Sequence, residues 1–252
     1  MASETDTKAV LVTGGAKRVG RAVCLAFAER GYRVGIHANT SLDAAQELAK
    51  QIEGQGSEAV ALGADLRDEG ATRSMVDRAA RHFGRLDVLV NSAAIWEPLA
   101  FDLVAADDLR RYFDINCVAS FIASQHAGLL MADQESGGAI VNFGDAAAER
   151  PQPGYAAYHP SKGAIPAMTR SLAIELARRN PRVRVNAVLP GPVLVSNDEP
   201  AERQRQVAEG TLLATVGHAD HLADAAVFLA ENPFVTGICL PVEGGRSLAE
   251  GW

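Results

Sequence analysis

Short runs of aliphatic and β-branched residues alternate along this chain with stretches that place apolar side chains at helical spacing, and this alternation restricts the fold more than any other feature. Ala9-Val10-Leu11-Val12 is apolar throughout, as a strand buried on both faces must be. Val19, Ala22, Val23, Ala26 and Phe27 then share one face of a helix that ends near Gly31. The pattern predicts a strand over Arg33 to His37, a helix carrying Leu42, Ala45, Leu48, Ala49 and Ile52 up to Gly54 and Gly56, and a strand over Glu58 to Leu62. A helix with Met75, Val76, Ala79 and Phe83 and a strand over Leu86 to Val90 complete the first half. The second half predicts a helix around 107–132, a strand at Ala139 to Phe143, a long helix from Tyr158 to Arg179 and a strand at Val183 to Leu189. A polar, Pro-rich segment from Pro190 to Gly217 follows, then a helix through Leu222, Ala225, Ala226 and Leu229 and a last strand at Thr236 to Leu240. Parallel strands need a crossover to return the chain to the same edge, so the expected fold is α/β: one doubly wound domain of about seven parallel strands with helices on both faces. It covers residues 8–252 behind a loose tail at 1–7, and its ligand belongs at the carboxyl ends of the strands.

Composition removes several function classes. With 48% hydrophobic and 22% charged residues the chain is not disordered. No apolar run approaches the roughly 20 residues of a membrane span, and the start lacks the basic and apolar regions of a secretory signal. A net charge of −7 without a basic stripe argues against nucleic acid or an anionic membrane as partner. Cys24, Cys117 and Cys239 are too few and too scattered for a disulfide framework, and read as small hydrophobes in a reducing cytoplasm. His218 and His221 lack a third ligand, so no metal is expected. A small-molecule substrate remains.

Two local patterns carry chemistry. Thr13-Gly14-Gly15-Ala16-Lys17-Arg18-Val19-Gly20 joins the first strand to the first helix, where glycines let the backbone approach a pyrophosphate and the helix start offers unpaired N–H groups. Arg18 at that helix start calls for an anion beside it. After the second strand, His37-Ala38-Asn39-Thr40-Ser41 has no carboxylate to repel a ribose 2′-phosphate. With Arg18, Asn39, Thr40 and Ser41 able to donate to it, NADPH is expected to be preferred over NADH by at least about tenfold, within the roughly 1.5 to 3 kcal/mol of a charge-assisted hydrogen bond. The second pattern is Tyr158 and Lys162 at i and i+4 on one helical face, a spacing that lets an ammonium lower a phenol's pKa. Only four of the 24 basic residues are lysine, so a lysine at 162 points to a need for a compact ammonium rather than a planar fork. Pro166 should kink or interrupt this helix.

These residues resemble the short-chain dehydrogenase/reductase family, a Rossmann-type fold whose motif is Thr-Gly-x-x-x-Gly-x-Gly. Thr13, Gly14 and Gly20 match it, and Arg18 replaces the middle glycine. The resemblance runs through Asn91-Ser92-Ala93-Ala94, Pro190-Gly191-Pro192, Thr236-Gly237 and Glu243-Gly244-Gly245. It implies an NADP site made of Thr13, Gly14, Lys17, Arg18, Val19 and Gly20 at the loop, Asn39, Thr40 and Ser41 after the second strand, and Asp65 and Leu66 at the adenine. Asn91 and Ala93, Tyr158 and Lys162, and Pro190, Gly191 and Val193 would complete it. Asn91 is equally suited to tie neighbouring strands together. The resemblance also implies that Tyr158 donates a proton while the nicotinamide delivers hydride, that Lys162 holds the nicotinamide ribose, that Asn116 anchors a water beside the lysine, and that the chain assembles as a homotetramer. The 190–217 segment would cover the substrate.

Most of the family has a serine about 13 residues before the tyrosine. Here that place belongs to Asp145. An ionised carboxylate only accepts hydrogen bonds and opposes charge building on a ketone oxygen. The pteridine reductase subgroup resembles this chain in both departures, and its substrate has ring nitrogens that can donate to a carboxylate. Trp96 falls where that subgroup stacks an aromatic ring on the pterin, although an ordinary partly buried tryptophan fits the same position. The substrate-binding residues would be Arg18, Trp96, Asp145 and Tyr158, and the catalytic ones Tyr158, Lys162, Asp145 and Asn116. A reductase of other carbonyls, such as 3-oxoacyl thioesters or sugars, and an NADP-binding regulatory protein stand as alternatives.

Overall fold

The computed structural model describes residues 7–193 and 200–249. The expectations for 1–6 and for 194–199 of the Pro-rich segment lie outside the described residues. Seven strands, β1 (Ala9–Thr13), β2 (Arg33–Ala38), β3 (Ala59–Gly63), β4 (Val88–Asn91), β5 (Gly138–Phe143), β6 (Val183–Pro190) and β7 (Cys239–Val242), form one sheet. Their spatial order is β3-β2-β1-β4-β5-β6-β7 and every pairing is parallel. The helices between them are α1 (Arg18–Glu29), α2 (Leu42–Gly54), α3 (Glu69–Phe83), α4 (Ala106–Phe113), α5 (Ala119–Asp133), α6 (Tyr158–Ala177), α7 (Ala201–Glu209) and α8 (Ala219–Glu231).

Strand side chains alternate between faces, and both faces are covered. Val10, Val12, Val34, Ile36, Val88 and Val90 pack with residues of α1, α2 and α8, including Phe27, Leu48 and Leu229. Leu11, Leu89 and Ile140 point the other way, into Met75 and Val76 of α3, Ala123 and Met131 of α5, and Leu172 and Leu176 of α6. That double burial explains why the strand segments read as continuous apolar runs, each large side chain contributing about 1.5–3 kcal/mol of transfer free energy before ordering costs. β1 pairs with β2 on one side and β4 on the other, with Thr13 opposite Asn91. Here the strand order reverses, and a crevice opens at the carboxyl ends.

The structure departs from the sequence expectation in four places. The last strand begins at Cys239 rather than Thr236, because Thr236–Ile238 meets β6 through other bonds. Thr236 Oγ1 accepts from Val185 N, Gly237 N donates to Val185 O, and Ile238 N donates to Asn186 Oδ1. β4 starts at Val88, since Leu86 is held by the Gln134 amide and the Asp87 carboxylate accepts from Ala9 N and Arg85. The expected helix at 107–132 is divided by a π-helical turn at Asp114–Val118, which turns Asn116 inward. α6 is not interrupted at Pro166: buried Ile165, Thr169 and Leu172 hold it on its neighbours through that turn. The helical stretch Ala106–Asp133 is long and apolar enough to cross a bilayer; in this fold Ala119, Ala123, Ala127 and Met131 are buried against the core, while Leu109, Val118, Phe121 and Leu129 remain exposed.

Candidate active site

A cavity of about 820 Å³ runs along the carboxyl ends of the strands, from the end of β2 to the turn after β7. Its floor at β1 is backbone. Gly14 has φ +64°, and a Cβ there would lie 2.8 Å from Ala93 Cα; one on Gly20 would lie 2.2 Å from Gly14 O. Only glycine allows this packing of loop, helix and β4. Thr13 Oγ1 accepts from Ser92 N and Ala93 N, fastening the loop to the end of β4. On the other side, Gly14 N donates to His37 Nδ1 at 3.1 Å and Gly15 N to His37 O at 2.9 Å. The proton of the neutral ring then sits on Nε2, facing Ala64 O at 3.1 Å. Burial pushes the His37 pKa down, so the ring stays neutral and the loop is wired to β2. The start of α1 has no side-chain cap and no acid in its first turn, and Lys17 and Arg18 line the cavity beside it. These open N–H groups and cations suit an anionic ligand. Arg18 takes the left-handed conformation at φ +52°, strained for any residue with a Cβ.

At the β2 end Asn39, Thr40 and Ser41 line the wall, and the carboxylate near them is Asp65. Arg67 grips Asp65 through Nε at 3.1 Å and a second guanidinium nitrogen at 2.5 Å, and this bond holds the Asp65 carboxyl below its usual range. Sequence reasoning missed Arg67. It also gave no sign that His37 anchors the loop.

The other half of the cavity is made of side chains. Tyr158, at the start of α6, donates its hydroxyl hydrogen to Asp145 Oδ2 at 2.6 Å, while Asp145 Oδ1 accepts from Ala147 N at 2.7 Å. Burial raises the Tyr158 pKa well above that of a free phenol, and the Asp145 charge and hydrogen bond raise it further. This departs from the expectation that Lys162 would make the phenol acidic: burial and then the Asp145 carboxylate, which holds the Tyr158 proton, push the phenol the other way. Lys162, also buried, donates to Phe143 O at 2.8 Å, and burial lowers its own pKa to about 8 against the opposing pull of Asp145 and Cys117. Trp96 is 51% exposed and stacks one face on Tyr155, with centroids 5.1 Å apart and planes 4° from parallel.

Gly14, Lys17, Arg18, Val19, Gly20, Asn39, Thr40, Ser41, Asp65, Leu66, Ala93, Trp96, Asp145, Tyr158, Lys162, Pro190, Gly191 and Val193 all line the cavity. Three residues expected at the site do not. Thr13 is spent on the β4 end, as described above. Asn91 is buried, its amide donating to Ser124 Oγ at 2.8 Å and Asn142 Oδ1 at 2.9 Å, so it ties the strands to α5. Asn116 is 1% exposed. Its amide bonds both polar groups of Ile95 and donates to Ser161 Oγ, so it positions the β4 loop against α6 and Ile115 takes the wall.

The cavity accommodates a dinucleotide: a glycine floor for close approach, open helix N–H groups for the pyrophosphate, and donors without a carboxylate at Asn39–Ser41. Comparison with known proteins agrees. Residues 14–247 match the family model described as enoyl-(acyl carrier protein) reductase. The chain is 32% identical over 244 residues to a 3-oxoacyl-(acyl-carrier-protein) reductase of Staphylococcus aureus, covering 95% of this chain and 98% of the relative. It is 30% identical over 256 residues to glucose 1-dehydrogenase 2 of Bacillus subtilis, covering 98% of each. Among solved structures, a blue fluorescent protein from a metagenomic library in complex with NADPH superposes with a TM-score of 0.86 at 32% identity, over 97% of this chain and 100% of that one. A short-chain dehydrogenase/reductase of Serratia marcescens gives 0.87 at 32% identity, over 95% and 98%. The fold, the glycine floor and these relatives together place the chain in the short-chain dehydrogenase/reductase family, as a nicotinamide-dependent oxidoreductase.

Proposed function

We propose that this chain is an NADPH-dependent reductase acting on a C=N bond of a pterin-type ring, with Tyr158 as proton donor. The observation that carries the reading is the 2.6 Å hydrogen bond from Tyr158 to Asp145, where the family usually has serine. A phenol held protonated suits an acid that gives its proton to a developing nitrogen anion. A tyrosinate beside the Asp145 carboxylate would put two negative charges in one site, so Asp145 needs a new hydrogen-bond donor when Tyr158 gives up its proton. A pterin ring offers N–H donors for that purpose; a simple ketone offers none.

When bound, the nicotinamide supplies the hydride. The chain's own residues do the rest. Lys162, anchored on Phe143 O, presents its ammonium to the cavity to hold the nicotinamide ribose and support the charge left on Tyr158. The open face of Trp96 and the adjoining wall seat a planar ring. Arg18, Asn39, Thr40 and Ser41 select the 2′-phosphate of NADPH. By the same resemblance the protein assembles as a homotetramer, which its mass in solution will show.

NADPH oxidation in the presence of dihydrobiopterin, dihydrofolate and a panel of ketones, sugars and 3-oxoacyl thioesters tests the proposal, with Tyr158→Phe as control. Turnover of the dihydropterins above all carbonyls supports it. Preferential turnover of a 3-oxoacyl thioester or a sugar, the substrates in the names of two relatives, replaces it with a carbonyl reductase. NADPH binding without any turnover makes the chain a cofactor-binding regulator.

A further inference from the structure

The segment that follows β4 is gripped at alternate residues. The Asn116 amide accepts from Ile95 N at 2.9 Å and donates to Ile95 O at 3.1 Å. Two residues on, the Tyr112 hydroxyl repeats the arrangement on Glu97, accepting from its N–H at 3.2 Å and donating to its carbonyl at 2.7 Å. Leu99 N then donates to Gly154 O at 2.8 Å, which draws the segment onto the residue before Tyr155. Tyr112 lies in the last turn of α4 and Asn116 in the π-helical turn behind it, so side chains four apart hold backbone groups two apart. Trp96 is the residue between the first two grips, and it lines the cavity with one face covered by Tyr155.

We propose that Tyr112 is a positioning residue for the substrate: its hydroxyl fixes the backbone beside Trp96, so that the indole stands as a rigid aromatic seat for the planar ring. The inference deepens the reductase reading and rests on its use of Trp96. Packing alone does not account for the hydroxyl. The Tyr112 ring is 3% exposed and meets Tyr158 edge-on, with centroids 6.1 Å apart and planes at 77°, contacts that a phenylalanine would make as well. The hydroxyl instead bonds both backbone groups of Glu97, an exposed residue, and so removes freedom from the chain on one side of Trp96. Asn116 does the same on the other side. An exposed aromatic ring loses conformational freedom when a ligand stacks on it, and a seat already fixed by its neighbours avoids that cost. One side chain therefore touches the ring of the proton donor and holds the backbone of the seat, which keeps the two in register.

Trp252→Phe leaves Trp96 as the sole tryptophan and is the background for every measurement. Tyr112→Phe keeps the ring against Tyr158 and removes the hydroxyl; an unchanged NADP affinity reports that the variant is folded. Time-resolved fluorescence anisotropy of the ligand-free protein should show a larger fast component of Trp96 motion in the variant. Titration of biopterin with the NADP-saturated protein, read by the fluorescence of biopterin itself, should show binding weakened about two- to tenfold, the share of one hydrogen bond. In a Trp96→Ala protein the same Tyr112→Phe change should alter biopterin affinity by less than about twofold, because a positioning residue acts only through the group it positions. Unchanged anisotropy or unchanged biopterin affinity overturns the proposal. An equal loss of affinity with and without the indole also overturns it, since Tyr112 would then act on the fold at large. Absence of biopterin binding before Tyr112 is changed sinks the pterin reading instead, and the anisotropy then decides the role of Tyr112 by itself.

Discussion

The two halves of the cavity are built by opposite means. The β1–β2 half is backbone: a loop of eight residues, Thr13 to Gly20, folded tightly by glycines, pinned to β4 by Thr13 and to β2 by His37. The β5–β7 half is a set of side chains from β5, α6, α7 and the turn after β7, whose charges restrain one another: Asp145 with Tyr158, Lys162 with burial, Arg203 with Arg246. A site made of contiguous backbone binds what the whole family binds. A site made of converging charges can change its substrate with single substitutions, and Asp145 stands where most of the family has serine.

The comparison predicts that changes in the side-chain half alter turnover and leave cofactor binding intact, whereas changes in the backbone half do the reverse. Tyr158→Phe should lower kcat by about 10² to 10⁴, the usual contribution of general acid catalysis, with NADPH affinity by fluorescence within twofold of wild type. A larger loss of affinity than of kcat would break the division. Asn39→Asp should reverse the preference for NADPH over NADH by about tenfold or more, because it sets a carboxylate against the 2′-phosphate, with kcat on the saturated enzyme preserved.

Lys162 sharpens the comparison through pH. Its pKa in the fold is about 8, below the 10.5 of the free side chain, so the fold disfavours the ammonium. Between these values the unfolded chain binds the extra proton, and stability rises with pH through that window by up to about 1.4 kcal/mol per unit. Urea midpoints of the ligand-free protein relative to Lys162→Met should therefore climb from about pH 8 to 10.5, and turnover should fall above about pH 8 as the ammonium is lost. A flat difference would contradict the burial assigned to Lys162. The smallest effect belongs to Arg18→Gly: relief of the left-handed strain should add about 1 kcal/mol of stability, while NADPH binding weakens by about tenfold.

The backbone half was legible in the sequence because its elements are local. The strand, turn and helix lie within 8–31, and period and glycine placement suffice to read them. The sheet was legible for the same reason, through strands buried on both faces. What the sequence did not reveal depends on distant residues meeting. Arg67 is the exception, only two residues from Asp65, a spacing that by itself marks no ion pair, and no local signal separates Asn116 as a buried tie from a wall residue until the π-helical turn is seen. The i, i+4 spacing placed Tyr158 and Lys162 correctly on one helix. It does not give the sign of the phenol's shift, which burial and Asp145, 13 residues upstream on another element, set upward.

Asp145 is the residue on which the proposed preference for a nitrogen heterocycle depends. The direct test is kcat/KM for dihydrobiopterin and for a ketone in the wild type and in Asp145→Ser, at saturating NADPH. A fall for the pterin that exceeds any fall for the ketone, shifting selectivity toward the carbonyl, is the predicted result. If the substitution harms the ketone more than the pterin, Asp145 does not select the substrate and the assignment is wrong.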